Sequence, residues 1–195
     1  MCNPSSPTIG ITLIDFEDDW IVEELEGVIW KEFHCSCRLV EILRDIDFAY
    51  HEGRDQYYST AILKELDKRA PEDLLKVLAI TGGDLFIPIL TYVFGEAQLG
   101  GRCALLSSHR LKPPDRSPAS LMLYKRRMIK EALHELGHTF NLKHCREETC
   151  IMHYCRSIRN VDSKDESFCR YCMTFLRDEF KRLGLDPSSL KELTK

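Results

Sequence analysis

The sequence predicts an α/β fold, a sheet layered on helices, on three observations. Runs rich in β-branched residues alternate with stretches of helical periodicity between residues 8 and 107. The longest helical stretch follows, and short cysteine-bearing segments come after it. At 195 residues, 44% of them hydrophobic, the chain can bury a sizeable core as one unit.

Thr8 to Asp15 reads as a first strand because it is rich in Ile and Thr. Asp18 or Asp19 then caps a helix reaching about Phe33, with Ile21, Leu25, Val28, Ile29 and Phe33 on one face. Cys37 to Leu43 reads as a second strand. Residues 45–57 are polar and irregular, and Ser59 opens a helix to about Arg69. Leu75 to Thr81 gives a third strand, ended by Gly82-Gly83. Residues 87–107 read as a hairpin of Ile87–Phe94 and Arg102–Ser107 joined through Gly100-Gly101. A loop with Pro113, Pro114 and Pro118 precedes a long helix from about Ser120 to Asn141. A final helix around Met173–Leu183 leads to a polar tail expected to fray. There is no internal repeat or low-complexity segment.

A net charge of −4 argues against a nucleic-acid partner. The densest basic run, Lys125-Arg126-Arg127, is expected to be a solvated helix face. Met1 to Pro7 lacks the basic start and apolar core of an export signal, and no apolar run is long enough to span a bilayer. These features predict a cytoplasmic protein without a membrane partner, and a monomer is expected. Nine cysteines in such a chain point to reduced thiols and metal ligation rather than disulfides.

The long helix carries His134-Glu135-Leu136-Gly137-His138, and His144 follows six residues later. On a helix His134 and His138 project from one face, so both imidazoles can share a metal. Three His ligands leave one position of a tetrahedral zinc open, the arrangement of a catalytic site. Glu135 sits beside the first ligand, placed to act as general base on an activated water. Helix formers at Lys130-Glu131-Ala132-Leu133 lead into the motif. A continuous helix would put His144 roughly 15 Å from His134, too far for one ion. The chain must therefore leave the helix and turn back, and Asn141 stands where a left-handed residue is needed.

Cys145 and Cys150, with the Cys169–Cys172 pair, have the spacing of a closed four-cysteine zinc site, which would be structural. Cys155 leaves this open, because any two of Cys145, Cys150 and Cys155 could join Cys169 and Cys172. Cys35, Cys37 and Cys103 read as ordinary buried thiols, Cys2 has no assigned role, and His109 and His153 are lone histidines.

The run from His134 to His144, then Cys145, Cys150, Met152, Cys169 and Cys172, resembles the archaemetzincin (archaelysin) family of metzincin zinc peptidases. The resemblance covers residues 134–172. It departs from the family's pattern at Asn141, usually glycine, and in a sixteen-residue spacer from Met152 to Cys169. It implies a metzincin-like (zincin) fold with a mixed twisted sheet, in one domain over residues 1–195. The upper part would run to about 141 and the lower part over about 142–195, stapled by the cysteines.

The resemblance selects Cys145 and Cys150 for the structural zinc and leaves Cys155 a free thiol. Met152 would form a hydrophobic floor under the catalytic zinc. Tyr154, two residues on, looks like the Met-turn tyrosine of astacin-type metzincins and is expected to stabilise an oxyanion. Gly101–Ser107 stands where metzincins have the edge strand that binds extended peptide. The expected activity is zinc-dependent hydrolysis of peptide bonds in a peptide or protein substrate, with two Zn2+ per chain. The competing reading is a catalytically silent zinc-bound scaffold, for which an intact Glu135 has no use.

Overall fold

The structure, a computed structural model, describes residues 7–16 and 18–190. Cys2 and the last five residues of the tail lie outside the described residues; the tail's first part does not fray, since it forms a 3-10 turn at Pro187–Ser189 and buries Leu190. The main sheet is built from β1 (Thr8–Ile14), β2 (Ser36–Leu39), β5 (Lys76–Thr81), β7 (Gly95–Ala97) and β8 (Cys103–Ser107), in the order β2-β1-β5-β8-β7. β2, β1, β5 and β8 are parallel, while β7 runs antiparallel to β8, so the sheet is mixed as expected. Three shorter strands, β3 (Tyr50–His51), β4 (Gln56–Tyr58) and β6 (Leu85–Phe86), form a second small sheet.

The period-two alternation of strands divides the core into two layers. Ile9, Ile11, Leu78, Ile80, Ala104 and Leu106 face a layer made by α1 (Trp20–Phe33) and α3 (Pro118–Thr139). Val77, Ala79, Cys103 and Leu105 face the opposite layer, built on α2 (Ser59–Arg69). A strand covered on both faces needs apolar residues at successive positions, which is why β5 reads as a continuous apolar run after Lys76.

Several boundaries differ from expectation. Asp19 occupies the cap position of α1 without a side-chain bond to the helix. The second strand stops at Leu39, and residues 45–57 contain β3 and the start of β4. Residues 87–94 form no named strand. Arg54 Nη2 instead donates to Leu90 O at 2.9 Å and Thr91 O at 3.1 Å, satisfying carbonyls that a ladder would have used. The edge strand is β7, not Gly101–Ser107, because β7 covers β8. Pro118 is the first residue of α3, whose N-cap Ser117 accepts from Ser120 N–H at 3.2 Å.

Two helices follow α3: α4 (Ile158–Ser163), which periodicity did not reveal, and α5 (Arg170–Arg182). A capping box on Ser157 and Asn160 nucleates the six-residue α4. The basic run of α3 is a solvated face only in part: Arg126 is exposed, Lys125 half-buried and Arg127 buried. Lys125 pairs with Glu24, Arg126 with Glu166, and the buried Arg127 grips Asp162 of α4 with two bonds of 2.7 Å. Lys130 Nζ donates to the carbonyls of Val161 and Asp162, and Lys164 is fully buried in an ion pair with Glu131 at 2.7 Å. All of these cations except Lys125, which pairs with α1, fasten the chain around residues 161–166 to the helix that carries the histidine motif.

Breaking the Glu131–Lys164 pair from one side leaves a buried charge alone. Lys164→Met is expected to lower the unfolding free energy by about 3 kcal/mol in urea denaturation, and a Glu131→Leu, Lys164→Met double variant to recover most of it.

Candidate active site

The end of α3 sets the geometry. Thr139 is its last residue, and the chain then closes in a Schellman motif. Leu142 N–H donates to Gly137 O at 3.0 Å and Asn141 N–H to His138 O at 2.9 Å, with Asn141 left-handed at φ 62°. The reversal expected at Asn141 is thus present, and it brings His144 back over the final turn of the helix. The rings of His134, His138 and His144 lie with centroids 4.7 to 5.3 Å apart.

Each helix histidine is oriented by a backbone carbonyl. His134 Nδ1 donates to Ile151 O at 2.8 Å and His138 Nδ1 to Leu142 O at 2.7 Å. With the proton on Nδ1, each Nε2 presents a lone pair, and these two nitrogens are only 3.2 Å apart. Two facing lone pairs at that distance repel unless a cation lies between them. One nitrogen from each of the three rings falls within 4.8 Å of the others. Burial holds His134 well below its ordinary pKa, lowers His138 to about 4 and lowers His144, which favours the neutral form that ligates metal in each ring. The donor set fits zinc.

Glu135 points into the same cleft and is almost fully buried. Burial, and then the neighbouring Glu131, push its carboxyl well above the usual range, while Lys164 pulls the other way. Its placement depends on Gly95 of β7. A side chain there would put Cβ 2.6 Å from Glu135 Cγ and 2.6 Å from Leu105 O. Gly137 answers a similar need beneath the histidines, since its missing Cβ leaves room for Met152 Sδ. Met152 is buried there against Gly137.

The cleft, of about 890 Å³, runs between the β7 edge and the segment after Met152. Tyr154 lines it, half exposed, with its ring centroid 4.9 Å from that of His144. Tyr92 Oη donates to Arg156 O at 3.1 Å and so joins the two walls at one end. Gly95, Tyr92 and the Glu131–Lys164 pair were not singled out in the sequence. Glu131 did carry a signal, since it lies one turn before Glu135 on the histidine face.

The four-cysteine cluster consists of Cys145, Cys150, Cys169 and Cys172, whose sulfurs lie within 4.8 Å of one another. Cys145 Sγ is 3.7 Å from Cys169 Sγ, and Cys150 Sγ is 3.7 Å from Cys172 Sγ. A disulfide would be about 2 Å long. A zinc tetrahedron with bonds of about 2.3 Å has edges of about 3.8 Å, so these sulfurs fit a shared zinc. Backbone N–H groups of Glu147 and Cys169 donate to Cys145 Sγ and Cys150 Sγ, and the neighbouring Cys172 thiol holds Cys150 below the usual thiol range.

Cys155 is outside the cluster. It lies in the cleft wall, where burial raises it to about 11. Cys35 and Cys103 are buried thiols raised to about 12. His153 turns to Cys145 O and His109 is exposed.

The profile of Peptidase family M54 matches residues 39–178. The chain is 39% identical over 160 residues to an archaemetzincin of Methanocaldococcus jannaschii, covering 80% of this chain and 87% of that one. An archaemetzincin of Methanopyrus kandleri is 41% identical over 138 residues, 71% of this chain and 75% of its own. The crystal structure of the Methanopyrus kandleri archaemetzincin superposes with a TM-score of 0.82 at 32% identity, covering 93% of this chain and all of that one. That of the Archaeoglobus fulgidus archaemetzincin, complexed with malonate, gives 0.74 at 35% identity, covering 86% and 99%.

Elemental analysis is expected to find about two zinc ions per chain, and about one in His144→Ala, since each cluster holds its own ion.

Proposed function

The chain belongs to Peptidase family M54 and is a zinc-dependent metallopeptidase, and from that membership we propose a role for each residue of the site. His134, His138 and His144 hold the catalytic zinc, and Cys145, Cys150, Cys169 and Cys172 hold the structural one. The observation that carries this reading is the convergence of three imidazoles beside a buried carboxylate in one cleft. Bound there, zinc supplies a Lewis acid that polarises the scissile carbonyl and acidifies water near neutral pH.

Glu135 is the general base. Burial makes its carboxylate a better proton acceptor than an exposed one, and the same oxygen returns the proton to the leaving nitrogen. The Tyr154 hydroxyl donates to the carbonyl oxygen as negative charge builds on it. Extended substrate adds as a strand to the free edge of β7, whose Gly95, Glu96 and Ala97 border the cleft beside Glu135. Cys145 follows His144 directly, so the structural zinc anchors the loop that presents the third imidazole.

The protein acts as a single domain and as a monomer on peptide or protein substrates. No described helix is long and apolar enough to cross a membrane. The eight described cysteines are free thiols, which supports a reducing compartment, and we place the protein in the cytoplasm.

A peptide-library digest read by mass spectrometry tests the assignment. Wild type should cleave, and Glu135→Gln should keep both zinc ions and lose about 10²–10⁴ in rate, the usual worth of a general base. A glutamine variant as fast as wild type would remove Glu135 from that role. Gly95→Ala should slow cleavage about tenfold or more by displacing the base, with both zinc ions retained.

A further inference from the structure

β5 sends one charged side chain into the largely apolar layer under α3. Lys76 is only 3% exposed, on the same strand face as Leu78 and Ile80. Its Nζ donates to Thr139 O and to Gly101 O, both at 2.7 Å, and lies 4.9 Å from the centroid of the Phe140 ring. Thr139 O is one of the carbonyls that the end of α3 leaves without a helical partner. Gly101 O belongs to the turn between β7 and β8. The neighbouring Gly100 N–H donates to His138 O at 2.9 Å, so the turn and the helix end are joined twice.

A buried lysine is an expensive strut. An apolar side chain would fill this layer without desolvating an ammonium group. What the ammonium adds is a positive charge at a helix C-terminus and two donors aimed at carbonyls from different elements. Burial lowers Lys76 to about 8, with Glu179 opposing the shift, so the cation prevails at neutral pH. Its contacts fall at the residues where α3 stops: Thr139 accepts from it, Phe140 lies beneath it, and Asn141 makes the left-handed turn.

We propose that Lys76 is a positioning residue for the catalytic zinc site. By clamping Thr139 O to the β7–β8 turn it fixes where the helix ends, and with it the reversal that returns His144 to His134 and His138. It also ties the edge strand that borders the cleft to the helix that carries the ligands. The proposal rests on the reading of the three histidines as ligands of one zinc.

The four-cysteine site provides an internal reference for the test. Zinc affinity at each site is measured by chelator competition on the full chain, for wild type, Lys76→Met and Lys76→Arg. Lys76→Met should weaken zinc binding by the three histidines about tenfold or more, the usual effect of losing a group that orients ligands. It should leave the four-cysteine zinc unchanged, and Lys76→Arg, which restores a cation and donors, should recover most of the loss. If Lys76→Met weakens both sites alike, or only lowers the melting temperature, the residue is a packing strut and the proposal falls. Lys76→Gln supplies the same comparison should the methionine variant not fold. A wild-type chain whose three histidines bind no zinc would instead overturn the ligand reading beneath it.

Discussion

The site depends on one geometric constraint: three imidazoles from a single stretch of chain must meet, and a straight helix cannot bring them together. His134 and His138 share a face for the price of one helical turn. His144 reaches them only because α3 stops at Thr139 and the backbone turns left-handed at Asn141. The features around that point serve the reversal. Leu142 O orients His138, Gly137 O and His138 O close the Schellman motif, and Gly137 lacks a side chain so that Met152 can pack beneath. An asparagine in this position bears part of the strain that glycine would not, and its tolerance for left-handed backbone makes the substitution workable.

Charged contacts join α3 to the chain after residue 142, beside a continuous apolar cluster that includes Phe33, Phe140, Phe168 and Phe180. Arg127, Lys130 and Glu131, spaced i, i+3 and i+4 on α3, engage Asp162, the carbonyls of Val161 and Asp162, and Lys164. Such bonds are directional, whereas apolar contact is not. The chain after residue 142 gains a defined orientation from them at a cost in desolvation.

Much of the site could be read from the chain because its ligands are close in sequence. The i, i+4 histidines, the required break before His144 and the left-handed Asn141 follow from helix geometry alone. The four cysteines were narrowed to the right set only through the family resemblance, since Cys155 has equivalent spacing and differs in where the fold puts it. The strands β1 and β5 showed in their composition. β7 did not, because Gly95, Glu96 and Ala97 have no strand preference and are held there by pairing with β8. The basic run of α3 misled in part, for a related reason. Whether a charge is solvated or paired is decided by Glu24, Asp162 and Glu166, which are distant in sequence. Lys76, at the head of an apolar strand, gave no local sign of its two carbonyl partners.

The hydrogen bond from Tyr92 to Arg156 O joins the two walls of the cleft at one end. It is exposed and contributes about 1 kcal/mol, so the walls are held together there by a contact that water can readily replace.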